Sequence, residues 1–172
     1  MNNKISFNLF KITKLLVFSF CMAYTGSSYA QKDLVNYVNT LQGTNSRFEL
    51  THGNTYPTLA MPWGVNFWTP QTGVNRDGWI YQYYKDSIRG FRQTHQCSSW
   101  TNDYAAFSIM PVSGALVVDQ YKRALKFSHE KEIASPHYYR VTFDNKITTE
   151  MSPTERGVYF RFSYPKGKDS YL

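Results

Sequence analysis

Between Thr40 and Tyr171 the apolar residues come in short runs rich in Val, Ile, Tyr, Phe and Trp, broken roughly every 8 to 15 residues by Gly, Pro, Asn or Asp. Runs this short cannot give core helices, which need about 10 to 12 residues with a 3.6 period, but they suit strands. The strand candidates are Gly64 to Thr69, Tyr104 to Pro111, Ala115 to Val118, Tyr138 to Phe143, Ile147 to Met151 and Gly157 to Tyr164. Val158-Tyr159-Phe160-Arg161-Phe162-Ser163-Tyr164 alternates in period two most clearly. Turn residues stand where hairpins need them, at Asp144-Asn145 and at Pro153 to Gly157. Helix is scarce: Lys32 to Leu41 reads as a short amphipathic helix or, nearly as well, as an extended segment. The pattern therefore predicts an all-β chain of two packed antiparallel sheets, a β-sandwich.

The first 30 residues stand apart. Lys4, Lys11 and Lys14 precede the apolar stretch Leu15 to Ala23, and Ser28-Tyr29-Ala30 closes it, the layout of a cleavable signal peptide. The apolar run is shorter than the roughly 20 residues that a membrane span requires, so no span is expected after cleavage. Residues 31 to 172 are then one β-sandwich domain in a secreted or periplasmic bacterial protein. The leader holds three lysines and no acids, so the mature chain carries 16 Lys and Arg against 12 Asp and Glu, a net charge of +4 rather than +7. These charges are scattered, with no block of like sign, and nucleic acid is not an expected partner. Only Cys97 remains after cleavage, so no internal disulfide is expected, and the absence of an Asn-x-Ser/Thr sequon fits a bacterial origin. The chain ends on Tyr171-Leu172, which reads as a cut through a strand.

Two constellations suggest binding. Gly90 to Tyr104 interleaves Arg92, His95, Asn102 and Asp103 with Phe91, Trp100 and Tyr104. Such a mixture suits sugars: an indole face packs on C–H groups while the polar side chains bond hydroxyls. The bland alternative has Phe91 and Trp100 plugging a sandwich edge while the polar groups cap turns. Thr51-His52-Gly53-Asn54-Thr55-Tyr56-Pro57 reads as a loop whose backbone comes close to a partner. Trp63 and Trp68, just beyond it, read as core. No metal site is expected, because His52, His95, His129 and His137 lack ligand spacing. Cys97 has no base placed beside it, and there is no glycine-rich phosphate loop. Glu130 and Glu132, two apart among charges, read as a solvated face rather than an acid/base pair.

In order along the chain, Val38 to Thr44, Gly53 to Pro57, Met61 to Gly64, Thr69-Pro70, Ile88 to Gln96, Trp100 to Tyr104, Ser108 to Pro111 and Phe127 to Pro136 resemble the N-terminal domain of glycoside hydrolase family 92, the bacterial exo-acting α-mannosidases. The resemblance implies a sandwich followed by a larger (α/α)6 catalytic barrel absent from this chain, calcium dependence, and inverting hydrolysis of α-linked mannose. Inversion uses two carboxyl groups roughly 6.5 to 9.5 Å apart. The resemblance places both, and most of the calcium ligands, in the barrel, so no catalytic or metal-binding residue is assigned here. It implies Trp100 as the sugar contact, with an α-1,2 preference, and Asn54, Thr55, His95 and Asp103 as further substrate-binding residues. Cys97 and Ser99 stand where the family pattern has prolines, Ala105 and His137 where it has glycines. The expected function is the sugar-facing domain of a secreted α-mannosidase, acting on mannose-containing glycans and inactive alone. The alternatives are a free-standing carbohydrate-binding module and a non-functional fragment.

Overall fold

The computed structural model describes residues 33–46, 52–53, 55–73, 80–94 and 108–172. A single 3-10 turn, Leu34–Tyr37, is the helical content of this part, so the amphipathic helix considered for Lys32 to Leu41 shrinks to four exposed or half-exposed residues. No helix among the described residues is long and apolar enough to cross a membrane. The leader lies outside them.

Ten strands follow. They are β1 (Phe67–Gln71), β2 (Ser87–Ile88), β3 (Gly90–Thr94), β4 (Ser108–Ile109), β5 (Val112–Ser113), β6 (Leu125–Ser135), β7 (Tyr138–Phe143), β8 (Thr148–Pro153), β9 (Val158–Ser163) and β10 (Ser170–Tyr171). All pairings are antiparallel: β2-β6-β7-β8-β9 form a five-stranded sheet, β1-β3-β4 a three-stranded one, and β5 pairs with β10. The all-β sandwich expected from the sequence is what forms.

Period two decides how the two larger sheets meet. In β7 and β8 the even-odd alternation sends Tyr139, Val141, Phe143, Thr149 and Met151 inward and leaves Arg140 and Glu150 facing outward. Trp68 of β1 and Phe91 of β3 enter the same core. The Phe91 ring meets Tyr139, Phe143 and Phe160 edge-on at centroid distances of 6.2, 6.4 and 6.2 Å, and Trp68 meets Phe160 at 5.1 Å. These T-shaped contacts join the two sheets across the sandwich.

Four local expectations need correction. β6, eleven residues long, runs through the charged stretch around Glu130 and Glu132 and is not among the strand candidates: Lys126, His129, Glu130, Lys131 and Glu132 hide the alternation, and a register irregularity between Phe127 and Glu132 shifts its phase. β3 was hidden in a loop-like constellation because Arg92 and Thr94 are polar although buried. Ala115 to Val118 is not a strand, and Tyr104 to Pro111 contributes only Ser108–Ile109 among its described residues. Asp144-Asn145 and Pro153 to Gly157 do turn the chain between strands, the latter closed by Thr154 N–H donating to the Gly157 carbonyl at 2.8 Å.

Candidate functional site

The three-stranded sheet is unusual in burying its second face as well. Register places Thr69 opposite Arg92 and Gln71 opposite Gly90, on the side away from Phe91. There Thr69 is 0% exposed, Thr94 2%, Gln71 3% and Arg92 7%. Antiparallel sheets commonly leave such a face to water. Here segments 41–46, 55–58 and 80–83 cover it, with Tyr56, Ile80 and Tyr81 forming a small cluster against Leu41. The covering is polar: Tyr56 Oη lies 3.2 Å from Thr94 Oγ1, Gln82 N–H donates to Thr72 Oγ1 at 2.8 Å, and Tyr83 N–H to the Thr44 carbonyl at 3.0 Å. Burial lowers the Arg92 pKa, yet a guanidinium remains protonated, so a buried cation lies three residues before the segment that begins at 95.

The Tyr56–Thr94 contact brings the two sequence constellations together. Tyr56 directly follows Thr55, and Thr94 directly precedes His95. Of the predicted sugar contacts, His95, Trp100, Asp103 and Asn54 lie outside the described residues. Thr55 lies within them and is exposed, its N–H donating to the Gly43 carbonyl at 3.2 Å and its hydroxyl to the Gln42 carbonyl at 2.6 Å. The close backbone partner expected for Gly53 is the chain itself. Gly43 and Gly53 cross with φ of +80° and +128°, and a Cβ on Gly53 would stand 2.8 Å from Gly43 Cα. The 52–58 loop is therefore pinned at its root while Thr55 faces solvent.

A second device holds the covering layer. Glu132, whose side chain is 0% exposed, accepts from Tyr81 Oη at 3.0 Å and Tyr139 Oη at 2.6 Å, and lies 2.6 Å from His129 Nδ1. The other ring nitrogen of His129 is 2.6 Å from the Tyr83 carbonyl, and its imidazole stacks on the Tyr83 ring at 3.9 Å. Facing a carbonyl, Nε2 donates, which sets the ring so that Nδ1 lies against the Glu132 carboxylate. Burial, then the nearby carboxylate, pushes the Tyr81 and Tyr139 phenols up, which keeps both as donors. The solvated face expected for Glu130 and Glu132 is thus half right: Glu130 is exposed, while Glu132 clamps residues 81–83 to β6 and β7. Sequence reading missed this pair; the signal was His-x-x-Glu in a stretch otherwise patterned for a strand.

Tryptophans 63 and 68, both expected in the core, separate. Trp68 is 4% exposed, and its indole N–H donates to Asn66. Trp63 is 100% exposed and holds φ at +64°, a left-handed conformation that costs a side chain roughly 1–2 kcal/mol. Among the described residues no group of three His, Cys, Asp or Glu that could hold a metal ion comes together.

The profile of the glycosyl hydrolase family 92 N-terminal domain matches residues 37–172. Among solved structures, the chain is similar to the family GH92 inverting mannosidase BT2199 of Bacteroides thetaiotaomicron VPI-5482, with 51% identity, a TM-score of 0.77, and coverage of 82% of this chain and 19% of that one. It is also similar to the family GH92 α-mannosidase BT3965 of Bacteroides thetaiotaomicron at 29% identity and a TM-score of 0.68, over 78% of this chain and 19% of that one. BT3965 has also been solved in complex with mannoimidazole; this chain matches that structure at a TM-score of 0.67 and 29% identity, covering 78% of itself and 18% of it. No curated protein sequence matches. The chain spans about one fifth of the length of the mannosidases it resembles, and over that span it belongs to the glycosyl hydrolase family 92 N-terminal domain family.

Proposed function

We propose that this chain is the sugar-facing N-terminal domain of a secreted, calcium-dependent α-mannosidase that releases mannose with inversion, with α-1,2-linked mannose as the preferred substrate. The observation that carries the reading is the convergence at Tyr56 and Thr94, which puts the roots of two sugar-suited segments side by side on a pinned, doubly buried sheet. In this reading Trp100 stacks on the sugar, and Asn54, Thr55, His95 and Asp103 bond its hydroxyls. The larger catalytic domain supplies both carboxyl groups and the calcium ligands. When bound, calcium supplies a hard cation for sugar oxygens. This domain's own residues bind and orient, and move no proton.

Residues 31–172 incubated with α-1,2-mannobiose and calcium should therefore give no turnover, and turnover that survives contamination controls defeats the reading. Titration calorimetry with mannose separates the free-standing module: half of an interdomain pocket gives little heat, whereas a module binds by itself. In a chimera carrying this chain before the remaining four-fifths of the inverting mannosidase, Trp100→Ala should lower kcat/KM for α-1,2-mannobiose by up to about tenfold, the worth of one lost ring contact.

A further inference from the structure

Turn 61–65 presents an apolar surface that the sandwich itself leaves uncovered. Trp63 is fully exposed, Val65 is 70% exposed and Met61 39%, with exposed Pro62 between them. The turn is held firmly. Leu59 and Trp68 exchange backbone hydrogen bonds of 2.8 and 3.0 Å, Ala60 N–H donates to the Pro136 carbonyl at 3.2 Å, Gly64 N–H to Met61 at 2.9 Å, and Val65 N–H to Glu155 at 3.0 Å. Gly64 is wedged as well, since a Cβ there would lie 3.0 Å from the Met61 carbonyl and 3.3 Å from that of Glu155. A strained backbone angle on a wholly exposed indole gains nothing inside this domain. Strain of this kind persists where the surroundings impose it, and it gathers at functional positions.

We propose that Trp63, with Met61 and Val65 beside it, is the anchor through which this domain seats in an apolar pocket on the larger remaining part of a family 92 enzyme. The inference rests on the proposed function and names the partner surface. Four-fifths of the matched inverting mannosidase lies outside the part this chain covers, which leaves ample chain to supply such a surface. The turn's own side chains, Met61, Pro62 and Val65, are apolar, which suits a protein pocket better than a sugar, whose hydroxyls need polar partners. A rigid aromatic on a held turn is also the kind of residue that dominates interfaces.

The test compares Trp63→Ala and Trp63→Phe in the full chain alone and in the chimera with the remainder of the inverting mannosidase. Alone, Trp63→Ala should leave the thermal midpoint unchanged or slightly raised, and N-bromosuccinimide should oxidise Trp63 readily, read by mass spectrometry of its peptide. In the chimera that oxidation should be lost, and Trp63→Ala should lower the midpoint by several degrees, with Trp63→Phe recovering most of the drop. If the wild-type chimera unfolds in two independent transitions and hydrolyses no mannoside, the underlying reading falls and the anchor with it. If it unfolds as one unit yet Trp63 stays open to oxidation, or Trp63→Ala costs nothing, the anchor alone is overturned. Equal destabilisation in both settings also overturns it, because Trp63 would then serve its own domain.

Discussion

The five-stranded and three-stranded sheets share one core but use their other faces in opposite ways. Beyond Tyr139, Val141 and Phe143, the five-stranded sheet turns Arg140, Glu150 and Arg161 to solvent. Beyond Trp68 and Phe91, the three-stranded sheet turns Thr69, Arg92 and Thr94 into a covered polar layer. An apolar face stabilises without direction, whereas a buried polar face fixes the positions of whatever bonds to it. The first arrangement supplies stability; the second fixes the positions of Tyr56 and Thr94, beside which the two candidate segments begin.

The sharpest way to break this contrast is Phe91→Ala, which removes the ring that three others meet and should cost about 3–5 kcal/mol in urea unfolding. A cost below about 1 kcal/mol would mean that the sheets do not share one core. Next comes Glu132→Ala. It leaves two phenols and an imidazole facing a void and should cost about 3 kcal/mol, with faster amide exchange at 81–83. Unchanged exchange there would show that the covering layer is held some other way.

One substitution made on both faces sharpens the comparison further. Thr149 is fully buried on the apolar side, and its hydroxyl has no hydrogen-bond partner among the described residues, so Thr149→Val should stabilise by about 1 kcal/mol. Thr94→Val, on the polar side, removes the bond to Tyr56 and should destabilise by about 1 kcal/mol. The same sign at both sites would erase the distinction.

Acid should act on the solvent face, and weakly. Arg161, then Tyr138, bond the Glu150 carboxylate and lower its pKa from 4.5 to about 2. A depressed carboxylate contributes its stability above pH 4.5 and loses it as the pH falls toward 2, so the effect belongs to that window. Screening keeps it within about 1 kcal/mol, and Glu150→Gln should flatten the acid limb of a stability profile accordingly. The smallest effect is at Lys146, which closes the β7–β8 turn at φ +72°. Lys146→Gly should stabilise by no more than about 0.5 kcal/mol, because relief of strain is offset by extra freedom in the unfolded chain.

The same division explains what could be read from the sequence. Strands β7, β8 and β9 face apolar residues on one side and water on the other, so Tyr138 to Phe143 and Val158 to Ser163 declare themselves by alternation. Strand β3 faces apolar residues on one side and a polar layer on the other, so Arg92 and Thr94 look solvated although they are buried. Glu132 misled for the same reason, since Tyr81 reaches it from 51 residues away and Tyr139 only through the pairing of β6 with β7. Trp63 misled in the opposite sense: an indole beside Pro and Gly reads as core unless the backbone angle is known. The site segments were legible by composition, but only the fold shows that Tyr56 and Thr94 touch.

The crossing of Gly43 and Gly53 bears on how this domain can diversify. No methyl group fits between the two backbone segments, so the approach of Gly53 to Gly43 is fixed before any side chain is chosen. Insertions or substitutions at the crossing would collapse the loop rather than redirect it. Under the proposed function, new sugar preferences must then come from exchanged side chains, and a library that randomises position 54 while holding 43, 53 and the bonded Thr55 constant would explore specificity without spending its members on misfolded chains.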